Sequence, residues 1–378
     1  MSAPASSGAT AIAVIGAGAF GRNHLRVYRA LEQAGAGIRL AACADPSEAA
    51  RSAVAAEYGI PVFASVDDLL AAGLGIAAAS VCTPTVHHAP AAIALLEAGI
   101  DVLIEKPIAS SLAEADSILA AAREHGCIVQ VGHLERFNPA VTAATSLVHQ
   151  PMFFESHRLS IFTPRSLDVD VVLDLMIHDL DIVLTLADSP VREVRAVGLP
   201  VLSRKTDIAN VRVEFESGAV ANFTASRIST ERVRKLRFFQ PHQYLSLDFA
   251  RQDLLMIDVT AAASLTAAQM QALFAASTGR DESHTAAEVE AHLASLRTTQ
   301  QAADSPIPTE EHPSAGLSLR KIPTEPGEPL RLEIEDFLKA IRTRQEPRVT
   351  GHNGRNALAL ALEINAAIAD HQQRAGLV

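Results

Sequence analysis

Three ionisable side chains occupy positions where they could move a proton on and off an alcohol. Lys106 follows the run DVLIE at residues 101–105, and Asp174 and His178 lie four residues apart in the stretch VLDLMIHDLD at residues 172–181. An α-helix would place Asp174 and His178 on one face. A histidine beside carboxylates can accept a proton near neutral pH, and a lysine can stabilise the oxyanion that forms as hydride leaves. The set suits the oxidation of a hydroxyl group.

These residues also have plainer explanations. Asp174 and His178 could form an ordinary pair on a helix surface, and their spacing alone does not decide between the two interpretations. The Asp-x-x-x-His pattern could belong to a metal site, but the sequence has no further ligands clustered beside it. The adjacent His87 and His88 also have no third ligand at suitable spacing. We therefore predict no bound metal.

A glycine-rich motif, GAGAFG at residues 16–21, follows the apolar run AIAVI and opens a helical segment. This context favours a dinucleotide-binding turn. Gly16 would make the tight turn, Gly18 would let a pyrophosphate approach the backbone, and Gly21 would let helix and strand pack closely. The N–H groups at the start of the helix would bind the phosphates. The predicted cofactor contacts here are Gly16, Gly18, Ala19, Phe20 and Gly21.

Asp45 ends the second apolar run, IRLAACA, where an acidic residue would bind the adenosine ribose hydroxyls. A carboxylate at this place would repel a 2′-phosphate, so we favour NAD over NADP; alternatively, Asp45 merely caps the next helix. Ligands of parallel sheets lie at the carboxyl ends of the strands. The remaining predicted cofactor contacts at those ends are Thr83, Pro84, His88, Glu105 and Lys106.

Apolar runs alternate with helical segments over residues 11–150, which indicates βαβ units and a parallel sheet. Beyond residue 150, alternating segments around turns indicate antiparallel hairpins. We predict an α/β fold class: a Rossmann dinucleotide-binding domain at residues 1–135 and an α+β domain with a large, mainly antiparallel sheet at residues 136–378. The last two helices are expected to pack back toward the first domain, and residues 261–320 to form an exposed insertion, part helical and part loosely ordered.

Composition narrows the class of protein. The 378 residues carry 43 acidic and 32 basic side chains, a formal charge of −11, which argues against a nucleic-acid-binding surface. Three cysteines without a CxxC spacing predict reduced thiols in a cytoplasmic protein. The N-terminal residues do not read as a secretory signal, and the longest uncharged apolar stretch is interrupted by glycine and proline, so we expect no membrane span.

The order of GAGAFG, EKP and DLMIHDLD resembles the Gfo/Idh/MocA oxidoreductase family over nearly the whole chain. This resemblance implies a two-domain NAD(P)-dependent dehydrogenase of sugars or polyols. It implies that Lys106 is the catalytic lysine, that Asp174 and His178 are the family's D-x-x-x-H pair, and that His178 accepts the proton. Some relatives have a cis peptide before the EKP proline. The run DVDVV at residues 168–172 stands where many members have glycines.

A narrower resemblance is to the branch containing UDP-N-acetylglucosamine 3-dehydrogenases. It rests on GHLERFNPAV at residues 132–141, DVDVVLDLMIHDLDIV at residues 168–183 and RKLRFFQPHQYLSLDF at residues 234–249. It implies oxidation of the C3 hydroxyl of a UDP-N-acetylhexosamine. Arg136, Asn138 and Arg158 could bind the diphosphate or sugar, together with Lys106, Asp174 and His178, or could be structural salt bridges and caps.

Other functions fit the same motifs. The chain could be an inositol or free-sugar dehydrogenase, or an NAD-dependent glycosidase that oxidises its substrate transiently. A non-catalytic NAD-binding sensor would not need Lys106, Asp174 and His178. We also expect a homo-oligomer, a dimer or tetramer, because one face of the second sheet has no helices predicted to cover it.

Overall fold

The computed structural model describes residues 9–162, 169–259, 309–311 and 318–377. The chain divides into two compact units. The first contains the residues up to Phe137, Leu180–Ile182 and Gly327–Ala366. The second contains Asn138–Asp179, Val183–Pro326 and the residues from Ala367 onward. Among the described residues, every helix is too short or too polar to span a bilayer.

The first unit is built on a six-stranded parallel sheet with the order β3-β2-β1-β4-β5-β6. Residues in five of these strands are almost all buried, because helices cover both faces of such a sheet. This architecture confirms the predicted Rossmann fold. The strands are β1 (Thr10–Ile15), β2 (Ile38–Ala44), β3 (Val62–Phe63), β4 (Ala78–Val81), β5 (Asp101–Glu105) and β6 (Val129–Gly132).

Helices connect these strands, and their ends follow the local sequence. Ser47, Ser65 and Ser111 each cap a helix by accepting a backbone N–H three residues ahead. Gly59 and Gly126 end two helices in the left-handed conformation. The helices are α1 (Ala19–Gln33), α2 (Glu48–Tyr58), α3 (Val66–Ala71), α4 (His88–Glu97) and α5 (Leu112–His125).

The second unit contains a nine-stranded sheet with the order β14-β15-β13-β12-β11-β7-β10-β9-β8. Only β7 and β10 pair in parallel among its described ladders; the other neighbours are antiparallel. This confirms the predicted large, mainly antiparallel sheet. The elements are α6 (Pro139–Thr145), β7 (Phe153–Leu159), α7 (Ile177–Ala187), β8 (Val191–Leu199), β9 (Ile208–Phe215), β10 (Val220–Ser226), β11 (Val233–Gln240), β12 (Gln243–Asp248), β13 (Asp253–Asp258), β14 (Thr309–Glu311) and β15 (Ser318–Ile322).

Strands β14 and β15 correct part of the expectation for residues 261–320. The sequence there is poor in strand signal, yet β15 pairs with β13 in the nine-stranded sheet and β14 pairs with β15. The ladder with β13 supplies hydrogen bonds that propensity alone does not predict. Residues 260–308 and 312–317 of this expectation lie outside the described residues.

Two helices, α8 (Pro329–Thr343) and α9 (Gly351–Arg374), follow the second sheet in the chain. Leu330, Ile334, Phe337 and Leu338 of α8 lie in the same buried cluster as apolar residues of α1, β1 and β2. Most of the last two helices therefore belong to the first unit, although they come last in sequence.

Candidate active site

The glycine-rich turn between β1 and α1 uses each of its glycines differently. Gly16 has φ +93°, and a Cβ there would lie 2.7 Å from the Cys82 carbonyl oxygen. A Cβ on Gly21 would overlap the Gly16 carbonyl oxygen. By contrast, a Cβ on Gly18 would have no heavy atom of the described residues within 4 Å. Gly16 and Gly21 are thus required by the fold, whereas Gly18 leaves room for a ligand above the backbone.

The start of α1 can receive a phosphate. Gly18 is the N-cap residue and supplies no side-chain hydrogen bond to the first turn. Ala19 and Phe20 are exposed in that turn, with Phe20 39% accessible. Helix N-termini with free N–H groups attract anions. The turn therefore fits the pyrophosphate of a dinucleotide.

Asp45 follows β2 and is half-buried beside this turn. Its Oδ2 accepts a hydrogen bond of 2.7 Å from the Ala17 N–H, and its Oδ1 accepts one of 2.8 Å from the Ser47 N–H. The N-cap of α2 is Ser47, whose hydroxyl accepts the Ala50 N–H. Two backbone donors thus hold the carboxylate in place next to the glycine-rich turn.

His88 lies between the ends of β4 and β5 and is 1% exposed. Its Nδ1 lies 2.8 Å from the Pro107 carbonyl oxygen, and its Nε2 lies 2.8 Å from the Thr83 carbonyl oxygen. Burial lowers the pKa of His88, while the two carbonyl contacts oppose that shift. Both nitrogens therefore face backbone. The ring ties together the loops that carry Thr83, exposed Pro84 and Pro107.

Lys106 follows β5 at the carboxyl edge of the parallel sheet and is half-buried. The Lys106–Pro107 peptide bond is cis. The Lys106 N–H donates to Oε2 of Glu105 at 3.3 Å. Oε1 of the same buried carboxylate accepts a hydrogen bond of 2.9 Å from Nε2 of His24.

The residues that surround Glu105 belong to no motif that the sequence shows. His24 Nδ1 lies 3.1 Å from the Ser80 hydroxyl, which is 2.8 Å from the Tyr28 hydroxyl. On β6, a Cβ added to Gly132 would lie 2.9 Å from the Glu105 carboxyl carbon. Gly132 thus leaves space for the carboxylate. These residues come from α1, β4 and β6, and no local motif joins them.

Asp174 and His178 lie in the second unit, and the segment that carries them is not a simple α-helix. Val172–Met176 forms a π-helical turn, in which the Ile177 N–H donates to the Val172 carbonyl oxygen. The helix considered for this pair from the sequence therefore contains one π turn. Local sequence does not distinguish i→i+5 from i→i+4 bonding. Asp174 and His178 are both half-buried. Single π turns occur frequently at functional sites.

Asp170 helps to start this turn. Its Oδ1 accepts hydrogen bonds of 2.9 Å from the N–H groups of Val172 and Leu173. The Asp174 N–H donates to the Asp170 carbonyl oxygen at 3.0 Å. An acidic residue of the DVDVV run thus fixes the backbone just ahead of Asp174.

The three predicted substrate-binding residues outside these motifs have structural partners. Arg158 is buried and donates two hydrogen bonds of 2.8 Å to the Asp179 carboxylate. Asn138 caps α6 by accepting the Ala140 N–H. Arg136 lies 3.4 Å from Oδ1 of Asp181. These contacts are the salt bridges and the helix cap that the sequence left open as alternatives to ligand binding. Within the described residues, no group of three or more His, Cys, Asp or Glu side chains is arranged to hold a metal ion.

The fold and the glycine-rich turn define a dinucleotide-binding oxidoreductase. A family model described as "Oxidoreductase family, NAD-binding Rossmann fold" matches residues 10–133, and the family's C-terminal domain matches residues 140–240. The chain belongs to the Gfo/Idh/MocA family. It is a dehydrogenase that uses NAD as its cofactor.

Individual relatives cover most of the chain. UDP-N-acetylglucosamine 3-dehydrogenase from Acidithiobacillus ferrooxidans is 33% identical over 362 residues, which is 96% of this chain and 98% of that protein. A solved structure of that enzyme matches with a TM-score of 0.76 at 31% identity, covering 95% of this chain and 97% of the other. The NAD-dependent scyllo-inositol 2-dehydrogenase of Bacillus subtilis is 28% identical over 232 residues, which is 57% of this chain and 67% of that protein.

Proposed function

We propose that this chain oxidises a hydroxyl group of a nucleotide-linked sugar, with the C3 hydroxyl of a UDP-N-acetylhexosamine as its substrate. The observation that carries this proposal is the near full-length similarity to UDP-N-acetylglucosamine 3-dehydrogenase, at 33% identity. The retained Lys106, Asp174 and His178 support it, because an alcohol dehydrogenase needs a proton acceptor and a cationic group for the oxyanion.

Each of these residues has a proposed role. His178 removes the hydroxyl proton, and Asp174 orients His178. Lys106 stabilises negative charge on the substrate oxygen as the C–H bond breaks. NAD, when bound, supplies the hydride acceptor. Gly16, Gly18, Ala19, Phe20 and Gly21 hold its pyrophosphate, and Asp45 binds the adenosine ribose.

The direct test is to incubate the purified protein with NAD and a panel of UDP-sugars, and to follow NADH absorbance. Lys106→Ala and His178→Ala should each lower turnover by about 10²–10⁴-fold if they assist proton transfer. Lys339→Ala is the matched control, because Lys339 is exposed on α8. Unchanged turnover of the Lys106→Ala protein would contradict the assignment.

A second candidate substrate is an inositol. The 28% identity to scyllo-inositol 2-dehydrogenase favours it, although that similarity spans only 57% of the chain. The same assay separates the two candidates. NADH formation with inositols and none with UDP-N-acetyl sugars would replace the proposed substrate and leave the dehydrogenase class intact.

We further propose that the protein forms a homo-oligomer through one face of the nine-stranded sheet. Phe153, Phe239 and Tyr244 lie together on that face, with ring centroids 5.5 Å and 4.8 Å apart for successive pairs, and Phe239 is 37% exposed. Self-association would bury this aromatic cluster. Phe239→Asp should then lower the mass measured by light scattering, whereas Lys339→Asp, at an exposed position of α8 in the first unit, should not.

The proposed location is the cytoplasm. Cys43, Cys82 and Cys127 are all free thiols. This state is usual for proteins in a reducing compartment.

A further inference from the structure

Glu333 is a buried acid to which the proposed mechanism assigns no role. It lies in the first turns of α8 and is 0% exposed. Neither of its carboxyl oxygens has a hydrogen-bond partner within the described residues. Burial of an ionised carboxylate without donors is costly, so this position requires an explanation.

The charged and titratable groups that influence Glu333 are acids. Burial raises the pKa of Glu333 well above its usual value, and Glu105, Asp336 and Asp181 raise it further. Glu333 in turn raises the pKa of Tyr28, on α1, and of Cys82, which follows β4. Negative charge on Glu333 would therefore be opposed both by desolvation and by repulsion.

The polar groups around Glu333 include more hydrogen-bond acceptors than donors. Nε2 of Gln130, on β6, donates to the Glu333 carbonyl oxygen at 3.0 Å. Oε1 of Gln130 and both carboxyl oxygens of Glu333 are buried and have no hydrogen-bond partner in the part of the chain that the structure describes. A protonated Glu333 adds an O–H donor to this group of acceptors. The polar contacts thus favour the same neutral form as the desolvation does.

Glu105 differs from Glu333 although both are buried. Its two oxygens accept hydrogen bonds from His24 Nε2 and from the Lys106 N–H. Within the described residues, donors therefore hold both carboxyl oxygens of Glu105 and neither carboxyl oxygen of Glu333.

We propose that Glu333 is a positioning residue that remains a neutral carboxylic acid in the working enzyme and so lets Glu105 alone hold His24 and the Lys106 backbone. When Glu333 ionises at alkaline pH, the second charge repels Glu105 and disturbs the segment that carries Lys106. This inference rests on the proposed catalytic role of Lys106, because the loss of activity runs through that residue.

Glu333→Gln tests the proposal, since glutamine has nearly the same shape and never ionises. Its turnover at pH 7 should lie within about twofold of the unsubstituted enzyme, because the neutral form is already the active one. The alkaline decline of kcat should move to higher pH. Glu335→Gln is the matched control, because Glu335 is partly exposed on the same helix and pairs with Arg331. A tenfold loss for Glu333→Gln at pH 7, or an unchanged pH profile, would overturn the positioning role.

A stability measurement tests the neutral state separately. Because the pKa of Glu333 is raised in the folded protein, the folded state binds more protons than the unfolded state above the ordinary pKa of glutamate, and stability falls as pH rises through that window. Glu333→Gln lacks this decline, so its Tm should exceed that of the unsubstituted protein by a margin that grows as pH rises above the ordinary pKa of glutamate. A margin independent of pH would show that Glu333 is ionised when folded. This result does not depend on the substrate, so it distinguishes failure of this inference from failure of the proposed function.

Discussion

His24 and Glu105 are 81 residues apart in the chain, yet His24 Nε2 lies 2.9 Å from Glu105 Oε1 in the interior of the first unit. This bond links the first helix of the dinucleotide fold to the residue that precedes Lys106. Nδ1 of His24 also lies 3.1 Å from the Ser80 hydroxyl, and that hydroxyl lies 2.8 Å from the Tyr28 hydroxyl. A connected set of buried polar groups therefore lies behind the proposed catalytic lysine.

Replacing His24 should lower the free energy of unfolding more than replacing Tyr28, which lies at the other end of this set of polar groups. His24→Leu takes a donor from the buried Glu105 carboxylate and should lower the free energy of unfolding by about 1–3 kcal/mol. Tyr28→Phe removes one neutral hydroxyl and should cost about 0.5–1.5 kcal/mol. Urea denaturation of both variants measures the difference. Equal losses would show that the Glu105 bond contributes no more than the Tyr28 bond.

Alanine substitutions at two glycines of the cofactor turn should have different effects, one on NAD binding and the other on stability. Gly18→Ala should fold normally, because its Cβ meets no atom of the described residues within 4 Å, but should weaken NAD binding by roughly tenfold or more, about 1.4 kcal/mol. Gly21→Ala should lower Tm, because its Cβ would overlap the Gly16 carbonyl oxygen. Calorimetric NAD titration and thermal unfolding check the pair. A Gly18→Ala protein with unchanged NAD affinity would contradict the pyrophosphate position.

Asp45 should determine the choice between NAD and NADP. Asp45→Asn keeps the shape of the side chain and one of the two oxygens that accept the Ala17 and Ser47 N–H groups, but it removes the charge that repels a 2′-phosphate. The ratio of kcat/KM for NAD over NADP should fall by about tenfold or more, a change of about 1.4 kcal/mol. The KM for the sugar substrate serves as the internal control and should not change. An unchanged cofactor ratio would assign Asp45 a purely structural role.

The fold and cofactor turn were predictable because their signals are local. An apolar run followed by GAGAFG specifies a strand, a turn and a helix over a few residues, and the structure has β1, the Gly16 turn and α1 in that order. Hairpins around residues 216–218 and 241–242 were predictable for the same reason, since alternation and turn residues are adjacent in sequence.

Residues whose environment forms only by long-range packing were not predictable. Glu333 and Gln130 meet 203 residues apart, and neither position carries a local motif. The π turn at Val172–Met176 depends on hydrogen-bond register rather than on apolar spacing. For Arg158, charge and position suggested a ligand contact, and only the folded chain brings Asp179 within 2.8 Å.

Substitutions of Arg158 test whether this residue stabilises the fold or binds the substrate. Arg158→Leu leaves the buried Asp179 carboxylate without its bidentate partner and should lower the free energy of unfolding by about 3–5 kcal/mol. Adding Asp179→Leu removes the stranded charge, so the double variant should recover most of that loss. Thermal and urea unfolding of both proteins, with substrate KM measured alongside, check the expectation. If Arg158→Leu instead raised the KM for the UDP-sugar without lowering Tm, Arg158 would be a substrate-binding residue, because a group that acts mainly on a ligand does not stabilise the free protein.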